Sequence, residues 1–260
     1  MIDTILFDLD GTLLPMDQDA FTEYYFKLLA GKMAPLGYEP KQLIAAVWDG
    51  TKAMVKNDGT CKNEKAFWTR FTQLYGEKAL QDQASFESFY ENEFAQAKQA
   101  CGYNQAAAEM IQWLKAQGYR IALATNPIFP AVATYQRIEW AGLKPEDFAC
   151  VTTYENSCYS KPNPKYYLEV VEKLGVRPEQ CLMVGNDADE DLIAEKTGMQ
   201  VFLLTDCLIN RTGKDLSGYA QGGFEKLRAY IKGMEGCAEA KAVEQNWLDA
   251  PGTEKKQSRV

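Results

Sequence analysis

A parallel α/β sheet with helices on both faces, interrupted by an all-helical insert, is the fold class this sequence predicts. Three observations predict it. An apolar run at the start, Ile5-Leu6-Phe7, leads through Asp8-Leu9-Asp10 into a glycine turn, Gly11-Thr12. The next stretch, to about residue 99, carries apolar residues at helical spacing and no convincing strand. From about residue 104, short apolar runs alternate with helical stretches, the pattern of βαβ units.

In chain order, the first strand ends on two aspartates. Asp is disfavoured in strands, and side chains two apart share a face, so Asp8 and Asp10 point roughly the same way. Two such charges repel unless a cation or a shared proton lies between them. Helices are then expected at 17–30, 40–57, 62–75 and 80–99, broken at Gly31, Gly37–Pro40, Asn57–Gly59 and Gly76. Phe21, Tyr24, Tyr25, Leu28 and Leu29 illustrate their spacing. A helix over 104–117, which Asn104 would cap, precedes a strand over Tyr119–Thr125. Helix 130–141, strand 149–153, helix 164–174, strand Cys181–Val184, helix 188–197 and strand Gln200–Leu204 follow. A last helix is expected near 223–233. The implied domains are a core of 1–14 and 100–235, a helical insert over 15–99, and a polar, partly mobile tail over 236–260.

Composition excludes several functions. The net charge of −8 argues against nucleic-acid or anionic-membrane binding. No apolar run approaches a membrane span, and Met1 leads straight into the first strand without a signal segment. Seven scattered cysteines with no C-x-x-C pair read as reduced thiols in a cytoplasmic protein. The chain has no histidine, which removes Ser-His-Asp and Cys-His catalysis and leaves acid–base work to carboxylates, Lys, Tyr or Cys.

Three further strand ends carry polar residues. Thr125-Asn126 follows the second strand, where a plain turn before Pro127 is the ordinary explanation. Lys161 precedes a helix that starts at Pro164, and a solvated lysine is the ordinary explanation there. Gly185-Asn186-Asp187-Ala188-Asp189-Glu190-Asp191 packs four acids behind an apolar strand, more than a helix dipole asks for.

In this order, with each set at the carboxyl end of an expected strand, where open α/β sheets bind ligands, these residues resemble the haloacid dehalogenase-like (HAD) hydrolase superfamily. The resemblance spans the chain to about residue 233. Its most specific parts are Phe7–Leu13 and Gly185–Asp191. It implies a Rossmann-like core, and a helical cap where the insert falls. It also implies a Mg²⁺-dependent phosphatase of small phosphorylated metabolites in which Asp8 is the nucleophile. Asp10, in a chain without histidine, is the general acid and base. The metal would sit on the Asp8 carboxylate, the Asp10 backbone carbonyl and an acid of the 185–191 loop. Lys161 would add positive charge beside the nucleophile. Thr125, Asn126 and the Gly11–Thr12 turn would help it hold phosphoryl oxygens.

One departure matters. Where many relatives read Gly-Asp, this loop reads Gly185-Asn186-Asp187. Asp187 is the expected metal ligand, because a carboxylate binds Mg²⁺ more strongly than an amide. Asn186 or Asp191 is the alternative, and Asp191 otherwise orients Lys161 or a metal-bound water. Asp189 and Glu190 are left as helix-start acids.

Asp10 separates phosphatases from dehalogenases, which lack an acid there. Phosphomutases share both acids and remain an alternative, as does a non-catalytic phospho-ligand binder. A signalling receiver domain is disfavoured because its acid pair and its phospho-acceptor lie on different strands. In capped members of the HAD superfamily the cap and the turn entering it read the leaving group, so the resemblance implicates Met16, Asp17 and Gln18, with Trp48, Lys52 and Lys56 as further candidates, although a lysine pair four apart is ordinarily a solvated face. Phe67, Trp68 and Phe71 are expected to be packing core. Substrate identity and oligomeric state stay open.

Overall fold

The computed structural model describes residues 1–234, so the expected tail over 236–260 lies outside the described residues. Five parallel strands form one sheet in the order β2-β1-β3-β4-β5: β1 Thr4–Phe7, β2 Arg120–Leu123, β3 Cys181–Gly185, β4 Gln200–Leu204 and β5 Ala220–Gly222. A strand covered on both faces has no use for a polar side, and β1 and β3 are buried throughout.

The register positions the chemistry. Phe7 stands beside Leu123 on one side and Val184 on the other. The ladder runs one step further, with Asp8 N donating to Val184 O (2.9 Å) and Ala124 N to Phe7 O (2.7 Å). Asp8, Thr125 and the 185–191 loop therefore leave the sheet side by side.

Between β1 and α6 (Gln105–Ala116) the described residues hold helices and turns: α1 Gln18–Met33, α2 Pro40–Val55, α3 Asn63–Tyr75, α4 Glu77–Gln81, α5 Gln83–Glu91 and a 3₁₀ stretch Glu93–Ala100. Asp17 starts α1 by accepting from the amides of Asp19 and Ala20. Where the chain leaves and re-enters the sheet, Met16 and Cys101 form an antiparallel bridge, and Gly102 N donates to Pro15 O at 2.7 Å. The helices pack through aromatic edges, as Tyr25 does against Phe89 and Phe94 at centroid distances of 5.9 and 6.1 Å. The N-terminus of α3 is tied to the sheet side. Buried Asn63 donates to Pro127 O, Tyr159 O and Ser160 Oγ, while its own amide reaches Ser157 O.

The remaining helices are α7 Ala131–Trp140 and α8 Pro164–Leu174, with residues 224–234 also helical. Asn163 caps α8, Pro164 opens it, and Gly175 ends it in the left-handed region.

Several expected elements differ. The helix over 80–99 is broken at Asp82 and again at Asn92, whose backbone leaves helical geometry. The strand over 149–153 reduces to a bridge at Val151 against Leu123, because the chain turns at Thr153, whose amide donates to Asn156 Oδ1. The helix over 188–197 is a turn followed by a 3₁₀ stretch, Leu192–Thr197. There Asp187 takes the Asp189 and Glu190 amides as an N-cap does, and beyond Asp191 the backbone bonds close over three residues, as from Ala194 N to Asp191 O. β5, whose sequence is Ala-Gln-Gly, carries no strand signal and was not expected.

Candidate active site

Lys161 is the hub of the polar cluster at the carboxyl end of the sheet. Its Nζ donates to Asp8 Oδ1 at 2.8 Å and to Asp191 Oδ1 at 2.7 Å, with Lys161 and Asp191 each 1% exposed. Burial pulls the ammonium down, but the Asp191 and Asp8 carboxylates on either side more than offset it and hold Lys161 well above its usual value. Burial pushes the Asp8 carboxyl up to about 7; Lys161 opposes that rise, while Asp191 and Asp10 add to it.

Asn126 stitches the strand ends together. Its Oδ1 accepts from Lys161 N at 3.3 Å, and its Nδ2 lies 3.1 Å from both Glu190 carboxylate oxygens. Thr125 is buried, and its carbonyl is fixed by Thr152 Oγ1 (2.7 Å) and Tyr166 OH (2.8 Å).

Asp10 has a partner of its own. The Arg137 guanidinium, on α7 and 1% exposed, donates through Nη1 to Asp10 Oδ2. Thr134 Oγ1 and Ala133 O accept from the same guanidinium at 3.3 Å each. Among the described residues Asp10 Oδ1 is buried and finds no hydrogen-bond partner.

The 185–191 loop is shaped by close approach. A Cβ at Gly185 would lie 2.0 Å from Asp191 Oδ2, so only glycine lets Asp191 fold back to accept from Asp187 N at 3.0 Å. A Cβ at Gly11, whose φ is +81°, would meet Asn186 Nδ2 at 2.3 Å. Asn186 spends both ends of its amide: Oδ1 lies 2.9 Å from Thr12 Oγ1, and Nδ2 donates to Cys207 O at 2.7 Å. Asp187 spends Oδ1 on the amides of Asp189 and Glu190 (2.7 and 3.0 Å), which leaves Oδ2 as its uncommitted oxygen. Burial raises the Asp187 carboxyl, and it pushes Glu190 up to about 8. A cavity of about 240 Å³ opens over this cluster, lined by Asp8, Asp10, Thr125, Asn126, Asn186, Asp187, Glu190 and Asp191, with Arg211 at its edge.

A family model described as haloacid dehalogenase-like hydrolase matches residues 2–196. The chain belongs to the haloacid dehalogenase-like hydrolase family.

This HAD-like hydrolase is 25% identical over 198 residues to the phosphoglycolate phosphatase of Agrobacterium fabrum, covering 75% of this chain and 76% of that one. It is 27% identical over 203 residues to the glyceraldehyde 3-phosphate phosphatase of Methanopyrus kandleri, covering 76% and 82%. Two relatives with different substrates at similar distance speak for the family and not for either substrate. The structure of a HAD phosphatase from Thermococcus onnurineus superposes with a TM-score of 0.55 over 88% of this chain and 98% of that one, at 20% identity, a likeness of fold.

Of the site residues expected in this HAD-like hydrolase, Asp8, Asp10, Thr125, Asn126, Asn186, Asp187 and Asp191 meet at one cavity, with Lys161 beneath them. Gly11 and Thr12 differ from expectation. Their amides donate to Leu14 O (2.8 Å) and Leu9 O (3.1 Å) and neither residue lines the cavity, while Thr12 Oγ1 lies 3.3 Å from Asp8 Oδ2. Met16, Gln18 and Trp48 line the cavity, Asp17 caps α1, and Lys52 and Lys56 are exposed away from it.

Sequence reasoning missed Arg137, Arg211 and Glu190. Arg137 is a lone arginine in an amphipathic helix and gives no signal of its own. Glu190 stands three residues after Asp187 in a tight acidic turn, a spacing that places both on one side. No helix among the described residues is long and apolar enough to cross a membrane.

Proposed function

We propose that this chain is a Mg²⁺-dependent phosphatase, a phosphoric monoester hydrolase of small phosphorylated metabolites that works through an aspartyl-phosphate on Asp8. The observation that carries this reading is Lys161 bridging Asp8 and Asp191 at 2.8 and 2.7 Å, buried under a cavity whose wall holds Asp8, Asp10, Asp187, Glu190 and Asp191 together. Phosphoryl transfer needs positioning and charge neutralisation above all. Lys161 orients one Asp8 oxygen and neutralises part of the charge that would repel a phosphate.

In this reading an Asp8 oxygen attacks phosphorus and the ester oxygen leaves with a proton from Asp10. Asp10 then takes a proton from the water that opens the acyl-phosphate. Arg137 holds Asp10 by Oδ2 and leaves Oδ1 for that exchange.

The donors suit Mg²⁺. Among the described residues no three acidic, histidine or cysteine side chains form a ready cage. Mg²⁺ keeps several waters and uses one or two carboxylates plus the substrate's phosphate. Asp8 and the uncommitted Oδ2 of Asp187, with the Asp10 carbonyl, would supply its protein ligands. When bound, the ion would neutralise phosphoryl charge as a Lewis acid. Asp191, committed to Lys161 and to Asp187 N, is the positioning group, and Asn186, with both amide ends spent, braces Thr12.

The division into a core of 1–14 and 100–235 and a cap of 15–99 belongs to the same proposal, as does a cytoplasmic location. The test is Mg²⁺-dependent phosphate release from a panel of phosphomonoesters, with Asp8→Asn and EDTA as controls. Hydrolysis lost under both supports the reading; full activity in Asp8→Asn removes the covalent mechanism.

A further inference from the structure

Beside the acidic cavity lies a second one of a different character. It measures about 100 Å³ and is lined by Tyr25, Phe26, Phe67, Trp68, Phe86 and Tyr90 from the helical segment, with no Asp, Glu, Lys or Arg in its wall. The two cavities share Thr22, Trp48, Ile128 and Phe129. Phe129 also stacks on Arg137, its ring centroid 4.5 Å from the guanidinium carbon, and Arg137 holds Asp10. The aromatic cavity therefore opens on the Asp10 side of the acidic one, the side where the leaving oxygen receives its proton.

We infer that this chain's substrate is a phosphomonoester whose leaving group ends in a single uncharged ring, seated in the cavity between Phe129 and the aromatic side chains of α1, α2, α3 and α5. The inference rests on the phosphatase reading and deepens it. Size sets an upper bound, since the space of about 100 Å³ is smaller than the apolar cavity of about 150 Å³ known to take benzene: one ring fills it by pressing its walls apart or by reaching into the neighbouring cavity, and a purine is too large. Charge narrows the class further. A carboxylate or a second phosphate in the far cavity would be buried without a cation, which speaks against phosphoglycolate and sugar bisphosphates. The hydroxyls of Tyr25 and Tyr90 lie 2.8 Å apart, one donating to the other, and the wall otherwise offers ring faces and edges together with Trp68 Nε1, buried and without a hydrogen-bond partner among the described residues.

The experiment compares kcat/KM for benzyl phosphate with that for glycerol 3-phosphate and phosphoglycolate, alkyl esters that also need their leaving oxygen protonated. Burying one ring predicts a preference for the benzyl ester of roughly tenfold or more. Val47→Phe, which fills the far cavity only, is expected to cut that ratio several-fold. Taking the ratio within one variant cancels any loss of folded protein, and Thr51→Leu narrows the same space from another wall. Benzylphosphonate, whose carbon–phosphorus bond the reaction cannot cleave, is titrated against methylphosphonate in a calorimeter with Mg²⁺ present.

Tighter binding of benzylphosphonate with no turnover of any ester supports the cavity and removes the phosphatase. Turnover that favours glycerol 3-phosphate or phosphoglycolate, with equal binding of the two phosphonates, overturns the inference and leaves the phosphatase standing. A benzyl preference that Val47→Phe and Thr51→Leu both leave intact overturns it as well.

Discussion

Arg137 reaches from α7 to the Asp10 carboxylate and is capped on its other side by the Phe129 ring. An arginine 1% exposed is costly without a partner, because its charge has left water. The general acid and base of the proposed reaction is thus also what keeps a buried cation in place. Function and stability meet in one side chain.

Asp10→Asn should therefore destabilise the fold besides slowing the reaction. Removing one partner of a buried pair costs about 3–5 kcal/mol. The Asp10 side chain is 21% exposed, so a loss at or just below that range, about 2–3 kcal/mol, is expected, or roughly 5–10 °C in Tm for a chain of this size. Thermal melts of Asp10→Asn decide it; an unchanged Tm means that Arg137 finds other compensation.

Asp8 and Glu190 set a pH dependence of stability opposite to that of most carboxylates. Burial raises them to about 7 and about 8, above their unfolded values near 4, so the folded state holds protons that the unfolded state has lost. Stability from these groups is full below about pH 4 and falls as pH rises through 7 to 8. Chemical denaturation in EDTA should show this fall between pH 5 and 8. Saturating Mg²⁺ should reverse it, and Asp8→Asn should remove the Asp8 share and leave that of Glu190. A metal-free protein that grows more stable over that range contradicts the charge balance given to the site.

Asp187 and Asp191 are separable by metal titration. Asp187→Asn should weaken Mg²⁺ binding roughly tenfold, as loss of a carboxylate ligand does. Asp191→Asn should lower kcat more than Mg²⁺ affinity, because its carboxylate serves Lys161 and a backbone amide. The reverse pattern exchanges their roles.

Gly185→Ala probes the turn without touching any charge. Its methyl would fall 2.0 Å from Asp191 Oδ2, so Asp191 has to move and Lys161 loses one anchor. A fall in kcat of at least tenfold is expected with overall secondary structure retained in the circular dichroism spectrum. Wild-type kcat in this variant shows that the Lys161–Asp191 contact is dispensable.

Much of the fold was legible because its signals are local. α8 runs over Pro164–Leu174 as expected, since Asn163, Pro164 and Gly175 mark both its ends, and β4 matches because its apolar run has sharp borders. Asp8 and Asp10 stood out because carboxylates at a strand end need a reason. Arg137 was invisible for the opposite cause. Its partner lies 127 residues away in sequence, and a helical arginine is ordinarily solvated. The helix over 188–197 became a turn and a 3₁₀ stretch although Asp187 does accept first-turn amides as a cap would, so the start signal was legible and the helix type was not. Phe67, Trp68 and Phe71 are packing residues as expected, Phe71 fully buried and the other two partly so, and Phe67 and Trp68 also wall a cavity.

β1 is an interior strand, paired on both edges, and that bears on how the chain is made. This strand leaves the ribosome well before its neighbours β2 and β3, which start at Arg120 and Cys181. At about 5–20 residues per second, an apolar, unpaired strand waits on the order of ten seconds for its first partner and longer for its second. The helices that follow it make mostly local contacts and are able to form meanwhile. During synthesis the nascent chain thus presents the segment bearing Asp8 bare beside a folding helical module, the interval in which it most needs shelter from other chains.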